Sequence, residues 1–155
     1  MNTHKVRIST AEMERPVEQA KPALTPQPRI VIADDFETLR RGLKSLLGSM
    51  ICGEAENGQQ AVEKVMELRP DIIILDFTMP VMNGLEAARR IRSLAPETKI
   101  IVFSLHDGDI IKEEALQAGA DAFLHKTATG EDILKTIATV MDNIPERSQA
   151  ATRKY

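Results

Sequence analysis

The chain has no tryptophan, one tyrosine and one cysteine among its 155 residues, and aromatic residues amount to 3%. A lone Cys52 excludes an intramolecular disulfide and any multi-cysteine metal site. So few rings leave little material for stacking on nucleic-acid bases. Long apolar runs are also missing. The longest, Ile72 to Leu75 and Ile100 to Phe103, fall far short of the roughly 18 residues of a membrane span and suit buried strands instead. The N-terminus sets Lys5, Arg7, Glu12, Glu14 and Arg15 where a secretory signal would carry a continuous apolar core. The chain therefore reads as cytoplasmic, without membrane contact. Its 43% hydrophobic and 28% charged residues form an ordinary globular mix, and the length fits one domain.

Proline and charge are unevenly spread. Residues 1–28 hold four of the eight prolines (Pro16, Pro22, Pro26 and Pro28) and four Lys/Arg against three Asp/Glu. Residues 143–155 hold Arg147, Arg153 and Lys154 against Glu146. The formal charge of −3 thus divides into +1, −6 for residues 29–142, and +2. Neither end has hydrophobic periodicity, so a flexible extension over 1–28 and a tail over 143–155 are expected around a compact domain at 29–142. The adjacent Arg153 and Lys154 are too few for phosphate-driven binding to nucleic acid.

Within 29–142, strand-like and helix-like segments alternate. Arg29–Ala33, Ile51–Ala55, Ile72–Leu75, Lys99–Phe103 and Ala122–Leu124 are short β-rich runs. Between and after them, apolar residues recur at helical spacing: Phe36, Leu39, Leu43, Leu46 and Leu47; Ala61, Val62, Val65, Met66 and Leu68; Leu85, Ala88, Ile91 and Leu94; Ile110 to Ala118; and Ile133, Leu134, Ile137, Val140 and Met141. Asn57-Gly58 reads as a turn, Gly48 and Gly119 as helix stops, and Thr129 with Asp132 as a capping box. Continuous rather than alternating apolar strands predict an α/β, doubly wound, five-stranded parallel sheet with helices on both faces. Its order is one of the two common ones, 3-2-1-4-5 or 2-1-3-4-5.

Ligands of such sheets bind beyond the carboxyl ends of the strands. The first strand ends in Asp34-Asp35, the third in Asp76, the fourth in Ser104, and the fifth just before Lys126. Taken singly, each has an ordinary explanation: an aspartate caps the next helix, a serine opens a turn, a lysine is solvated. Five together at strand ends point to one site. In the 2-1-3-4-5 order Asp34, Asp35 and Asp76 converge, and three carboxylates repel unless protonated or neutralised by a cation. Oxygen donors suit a hard ion such as Mg²⁺. His4, His106 and His125 lack mutual ligand spacing, which excludes zinc.

These segments resemble the receiver domain of bacterial two-component response regulators over residues 29 to about 142. The resemblance rests on Ile32-Ala-Asp-Asp35, Leu75-Asp-Phe-Thr-Met-Pro-Val-Met-Asn-Gly84, Val102-Phe-Ser104 and Ala118-Gly-Ala-Asp-Ala-Phe-Leu-His-Lys126. The last looks most like receivers linked to a LuxR-type helix-turn-helix. The resemblance implies a flavodoxin-like order 2-1-3-4-5 and Asp76 as phospho-acceptor. It implies Mg²⁺ held by Asp34, Asp35, Asp76 and the Thr78 backbone carbonyl, with Ser104 and Lys126 stabilising the phosphoryl group and Phe123 as switch aromatic. It further implies a sensor histidine kinase or phosphotransfer protein upstream, and a partner protein or second copy at the face of the fourth helix, fifth strand and fifth helix. Three residues depart from the commonest pattern: Thr127 stands where many receivers have proline, Leu105 is bulky where small residues are frequent, and Phe123 lacks a hydroxyl.

Three rival readings are weighed. A LuxR-type DNA-binding regulator needs about 60 residues after the receiver, and 13 follow position 142, so DNA binding by this chain is not expected. An aspartyl-phosphate phosphatase needs a second carboxylate two positions after the nucleophile, where Thr78 stands. A nucleotide-binding protein needs a G-x-G-x-x-G or P-loop pattern, and neither is present. The expectation is a phosphorylation-controlled switch rather than an enzyme.

Overall fold

The computed structural model describes residues 27–143; the extension proposed for 1–28 and the tail for 143–155 lie almost wholly outside them. Five strands, β1 (Ile30–Ala33), β2 (Ile51–Ala55), β3 (Ile72–Asp76), β4 (Lys99–Ser104) and β5 (Ala122–His125), alternate with five α-helices. The helices are α1 (Glu37–Leu47), α2 (Gly58–Leu68), α3 (Gly84–Leu94), α4 (Asp109–Gln117) and α5 (Gly130–Asp142). All strand pairs are parallel, and the order is β2-β1-β3-β4-β5. Of the two orders open to the strand pattern, the one that makes β1 and β3 neighbours is realised.

Every residue of β1, β3 and β4 is buried, which explains their unbroken apolar runs. Side chains still alternate between faces. Val31, Ala33, Ile73, Leu75, Ile100 and Val102 pack against α2, α3 and Ala115 of α4. Ile30, Ile32, Ile72, Ile74, Ile101 and Phe103 pack against Leu43 and Leu47 of α1 and Ile133, Ile137 and Val140 of α5. Burying each large aliphatic side chain contributes about 2 kcal/mol. The edge strands are less covered, and all four residues of β5 are half-buried.

Local differences from the sequence reading have clear causes. Asn57-Gly58 is no free turn, since the Asn57 side chain accepts from the Gln60 N–H and caps α2. Asn83 caps α3 in the same way, and Thr129 with Asp132 forms the expected capping box. Phe36 precedes α1 as an extended residue and is 63% exposed, outside the helix's core-facing stripe. Ile110 is 74% exposed, because only Ala115 of α4 is buried. Among the described residues, no helix is long and apolar enough to cross a membrane.

Candidate functional site

The C-terminal ends of β1 and β3 lie side by side, with Ala33 paired to Leu75, so the residues that follow meet at the switch point of the sheet. Carboxylate oxygens of Asp34, Asp35 and Asp76 all lie within 4.8 Å of one another. Asp34 and Asp76 are buried, whereas Asp35 is exposed. A cleft of about 540 Å³ opens above them, bordered by Asp35, Asp76, Thr78, Ser104, Leu105 and Lys126. Five of the seven residues that sequence reasoning assigned to the site border this cleft, and Asp34 meets it through Asp76 and Lys126.

Lys126 enters from the end of β5, its Nζ 3.1 Å from Asp76 Oδ1 and 2.8 Å from Asp34 Oδ2. Oδ2 of Asp34 is buried, and the Lys126 ammonium is its close partner. The other oxygen, Oδ1, accepts from the Phe36 N–H at 2.9 Å. Burial, and then the charge of Asp34, push the Asp76 carboxyl up from 3.8 to about 6, against the pull of Lys126 and the Thr78 N–H. Burial opposes the charge on Lys126, yet the two carboxylates outweigh it and its pKa is raised.

Three carboxylates face one ammonium, so the cluster is short of positive charge. Carboxylate oxygens of Asp34, Asp35 and Asp76 within reach of one another, with Lys126 as their one close ammonium, form a donor set that fits a hard divalent cation. Histidine and cysteine are absent from this cluster, in keeping with the sequence reading.

The loop after Asp76 is held close to it. The Thr78 N–H donates to Asp76 Oδ1 at 3.3 Å, and the Gly84 N–H donates to the Phe77 carbonyl at 3.0 Å. A Cβ on Gly84 would collide with the Asp76 carbonyl, so only glycine lets α3 begin this close to the acidic strand end. Pro80 and Gly84 thus shape the loop, and Val81, with φ of 69°, spans a tight turn closed by the Met82 N–H on the Pro80 carbonyl.

Ser104 is buried at the end of β4, where its Oγ accepts from the His106 N–H at 2.9 Å. Phe123 stands apart from the cleft. It is half-buried on β5 opposite Val102 and borders a groove of about 320 Å³ with Lys112 and Leu116 of α4 and Thr136 and Thr139 of α5.

Sequence reasoning missed Arg40. Its guanidinium is buried, donates to the Asp34 carbonyl at 2.8 Å, and pairs with Glu54 at 3.3 Å and Glu56 at 3.5 Å. It therefore fixes the backbone from which Asp34 projects. The available signal was a basic residue one position from the apolar stripe of α1, facing the acidic pair at the end of β2. Arg40→Ala should cost about 1.5 kcal/mol, because it strands a buried carbonyl and removes one partner of Glu54, which keeps Lys44, and of Glu56. Chemical denaturation with unchanged m-value checks this.

An open parallel sheet of order 2-1-3-4-5, with an acidic cleft and a lysine at its switch point, defines a doubly wound α/β protein. The chain belongs to the response regulator receiver domain family, whose pattern matches residues 30–138. It is 38% identical over 116 residues to the transcriptional regulatory protein LnrK of Bacillus subtilis, a match covering 72% of this chain and 53% of LnrK. It is 44% identical over 101 residues to the chemotaxis protein CheY of Thermotoga maritima, covering 63% and 84%. The structure resembles the receiver domain of the response regulator NarL from Mycobacterium tuberculosis, with a TM-score of 0.70, 33% identity, and coverage of 75% and 97%. It also resembles a CheX–CheY complex of Borrelia burgdorferi containing BeF3 and Mg²⁺, with a TM-score of 0.69, 25% identity, and coverage of 73% and 88%. The chain spans about half the length of LnrK. Receiver domains are regulatory signalling domains of two-component systems, bind Mg²⁺ at an acidic pocket, and work with histidine kinases or phosphotransfer proteins.

Proposed function

We propose that this chain is a phosphorylation-controlled cytoplasmic switch that accepts a phosphoryl group on Asp76 from a sensor histidine kinase, a phosphotransfer protein or a small phosphodonor. The observation that carries this reading is a buried carboxylate on a central strand, 3.1 Å from a lysine and bordering an open cleft. An Asp76 oxygen attacks phosphorus, the bond from phosphorus to the donor breaks, and the leaving group departs with its electron pair. Lys126 places a compact positive charge beside the incoming phosphoryl oxygens. Ser104 keeps its hydroxyl hydrogen free to donate to one of them, because its Oγ only accepts from His106.

Asp34, Asp35, Asp76 and the Thr78 carbonyl are the residues to hold Mg²⁺, which when bound neutralises charge on the transferring group. The Mg²⁺ in the Borrelia CheX–CheY complex supports this assignment. Asp35 is exposed, so Asp35→Ala should weaken Mg²⁺ binding at least about tenfold while leaving stability in chelator nearly unchanged. A Mg²⁺ titration beside thermal melts in EDTA measures both.

Output follows from Ser104 and Phe123, which sit on adjacent strands. Movement of Ser104 toward the phosphoryl group makes room for Phe123 to turn, and the face of α4, β5 and α5 changes where a partner protein or a second copy docks. Phosphorylation must bias a transition already accessible to the free protein. LnrK, a transcriptional regulatory protein about twice as long as the matched segment, supports a second reading, in which this receiver governs a DNA-binding effector.

Incubation with acetyl phosphate and Mg²⁺, followed by intact mass measurement, tests the main reading. Gain of one phosphoryl group is expected; an unchanged mass overturns it.

A further inference from the structure

Two histidines lie near the cleft: His106 within the loop that follows β4, and His125 in contact with that loop. His125, the last residue of β5, brings its Nε2 to 2.8 Å from the Leu105 carbonyl. A carbonyl only accepts, so Nε2 carries the hydrogen. Nδ1 then accepts in the neutral ring, and Thr127 supplies what it needs: its backbone N–H at 3.2 Å and its hydroxyl at 2.6 Å. On the other side of the loop, the His106 ring meets Phe77 edge to face, with centroids 6.0 Å apart. Leu105 lies between the two histidines, 67% exposed, on the rim of the acidic cleft. Past it, Gly108 has φ of 128°, a conformation in which the chain can pivot.

Thr127 occupies the position where many receivers have proline. A proline there has neither the N–H nor the hydroxyl from which Nδ1 accepts, so the His125 ring would lose both partners at that nitrogen. The departure and the histidine therefore form one device.

We infer that His125, oriented by Thr127, is a positioning residue for the cleft: its Nε2–H tethers the Leu105 carbonyl to the end of β5 and keeps Leu105 over the cleft mouth. The inference rests on the reading of Asp76 as phosphoryl acceptor. The tether does not touch the reacting atoms. It sets how often the rim opens to donor and to water, and it ties the Ser104 loop to the strand that carries Phe123.

The test compares wild type with His125→Leu, which removes the donor, and His125→Gln, whose amide nitrogen can reach the same carbonyl. Amide exchange over residues 105–108 is measured without phosphodonor, and labelling by acetyl phosphate with Mg²⁺ is followed by mass. In His125→Leu, exchange at 105–108 should rise about fivefold, the weight of one net hydrogen bond. Exchange in β1 and β3 should stay unchanged, showing that the fold is intact. Labelling should accelerate by up to the same factor, and His125→Gln should restore both toward wild type. Unchanged exchange in His125→Leu overturns the tether. Raised exchange with unaltered labelling overturns its control of the cleft. A glutamine variant that behaves like leucine overturns the role of the Nε2 donor. A wild type that takes no phosphate refutes the signalling reading and the labelling half of the inference, while the exchange comparison still decides whether the tether exists.

Discussion

Asp76→Asn should abolish labelling by acetyl phosphate, leaving no gain in intact mass under conditions where the wild type is expected to acquire one phosphoryl group. The amide keeps the shape of the side chain and its place beside Lys126, so the cleft is preserved. Its oxygen carries no full negative charge, and its nitrogen's lone pair is delocalised into the carbonyl. Neither atom attacks phosphorus at a useful rate. Nor do the neighbouring carboxylates substitute. Asp34 is 2% exposed with its oxygens turned to the Phe36 N–H and to Lys126, and Asp35 stands outside the lysine's reach as an exposed side chain. Stoichiometric labelling of the asparagine variant would remove Asp76 from the role.

The same substitution should stabilise the metal-free protein at neutral pH. In the folded chain the Asp76 carboxyl is pushed up from 3.8 to about 6, so the folded state holds this proton more tightly than the unfolded state does. The stability tied to that proton is fully present below about pH 4 and is lost as pH rises through about 6. At pH 7 the wild type therefore carries an ionised carboxylate that its surroundings disfavour. The displacement corresponds to about 3 kcal/mol, of which roughly 2 remains once screening at the open mouth of the cleft is counted. Asparagine resembles the protonated acid and escapes this penalty. Melts in EDTA should place Asp76→Asn about 8 °C above wild type at pH 7, and level with it near pH 4. Added Mg²⁺ should narrow the gap at pH 7, because it stabilises the wild type more strongly. A constant gap from pH 4 to 7 would show that the effect has another origin.

Much of this was legible in the chain because it depends on local rules. Runs such as Ile72 to Leu75 leave few options besides a covered parallel strand, and the residue after such a run must emerge at the edge of the sheet. That rule places Asp34, Asp35, Asp76, Ser104 and Lys126 at one edge of the sheet. The strand order was less determined, since both common orders satisfy the same apolar pattern, and the resemblance chose between them. What escaped notice depends on tertiary contacts. An arginine beside the stripe of α1 looks like any solvated base until β2 brings Glu54 and Glu56 to it. His125 shows no metal-ligand spacing in the sequence, and one of its partners, a backbone carbonyl 20 residues away, reaches it only in the fold. Asn57-Gly58 has the composition of a turn and of a helix cap alike, and the helix that follows decides.

The contrast in burial across the sheet has a consequence for how the molecule comes apart. β3, which carries Asp76, is paired on both sides and buried at every position, while β5 is paired only to β4 and half-buried throughout. β5, an edge strand, should therefore open at lower free energy than β1 and β3, which are buried at every position. On the proposed reading, a covalent event at Asp76 would act from a strand buried at every position on a half-buried edge strand, so the centre can stay folded while the edge moves.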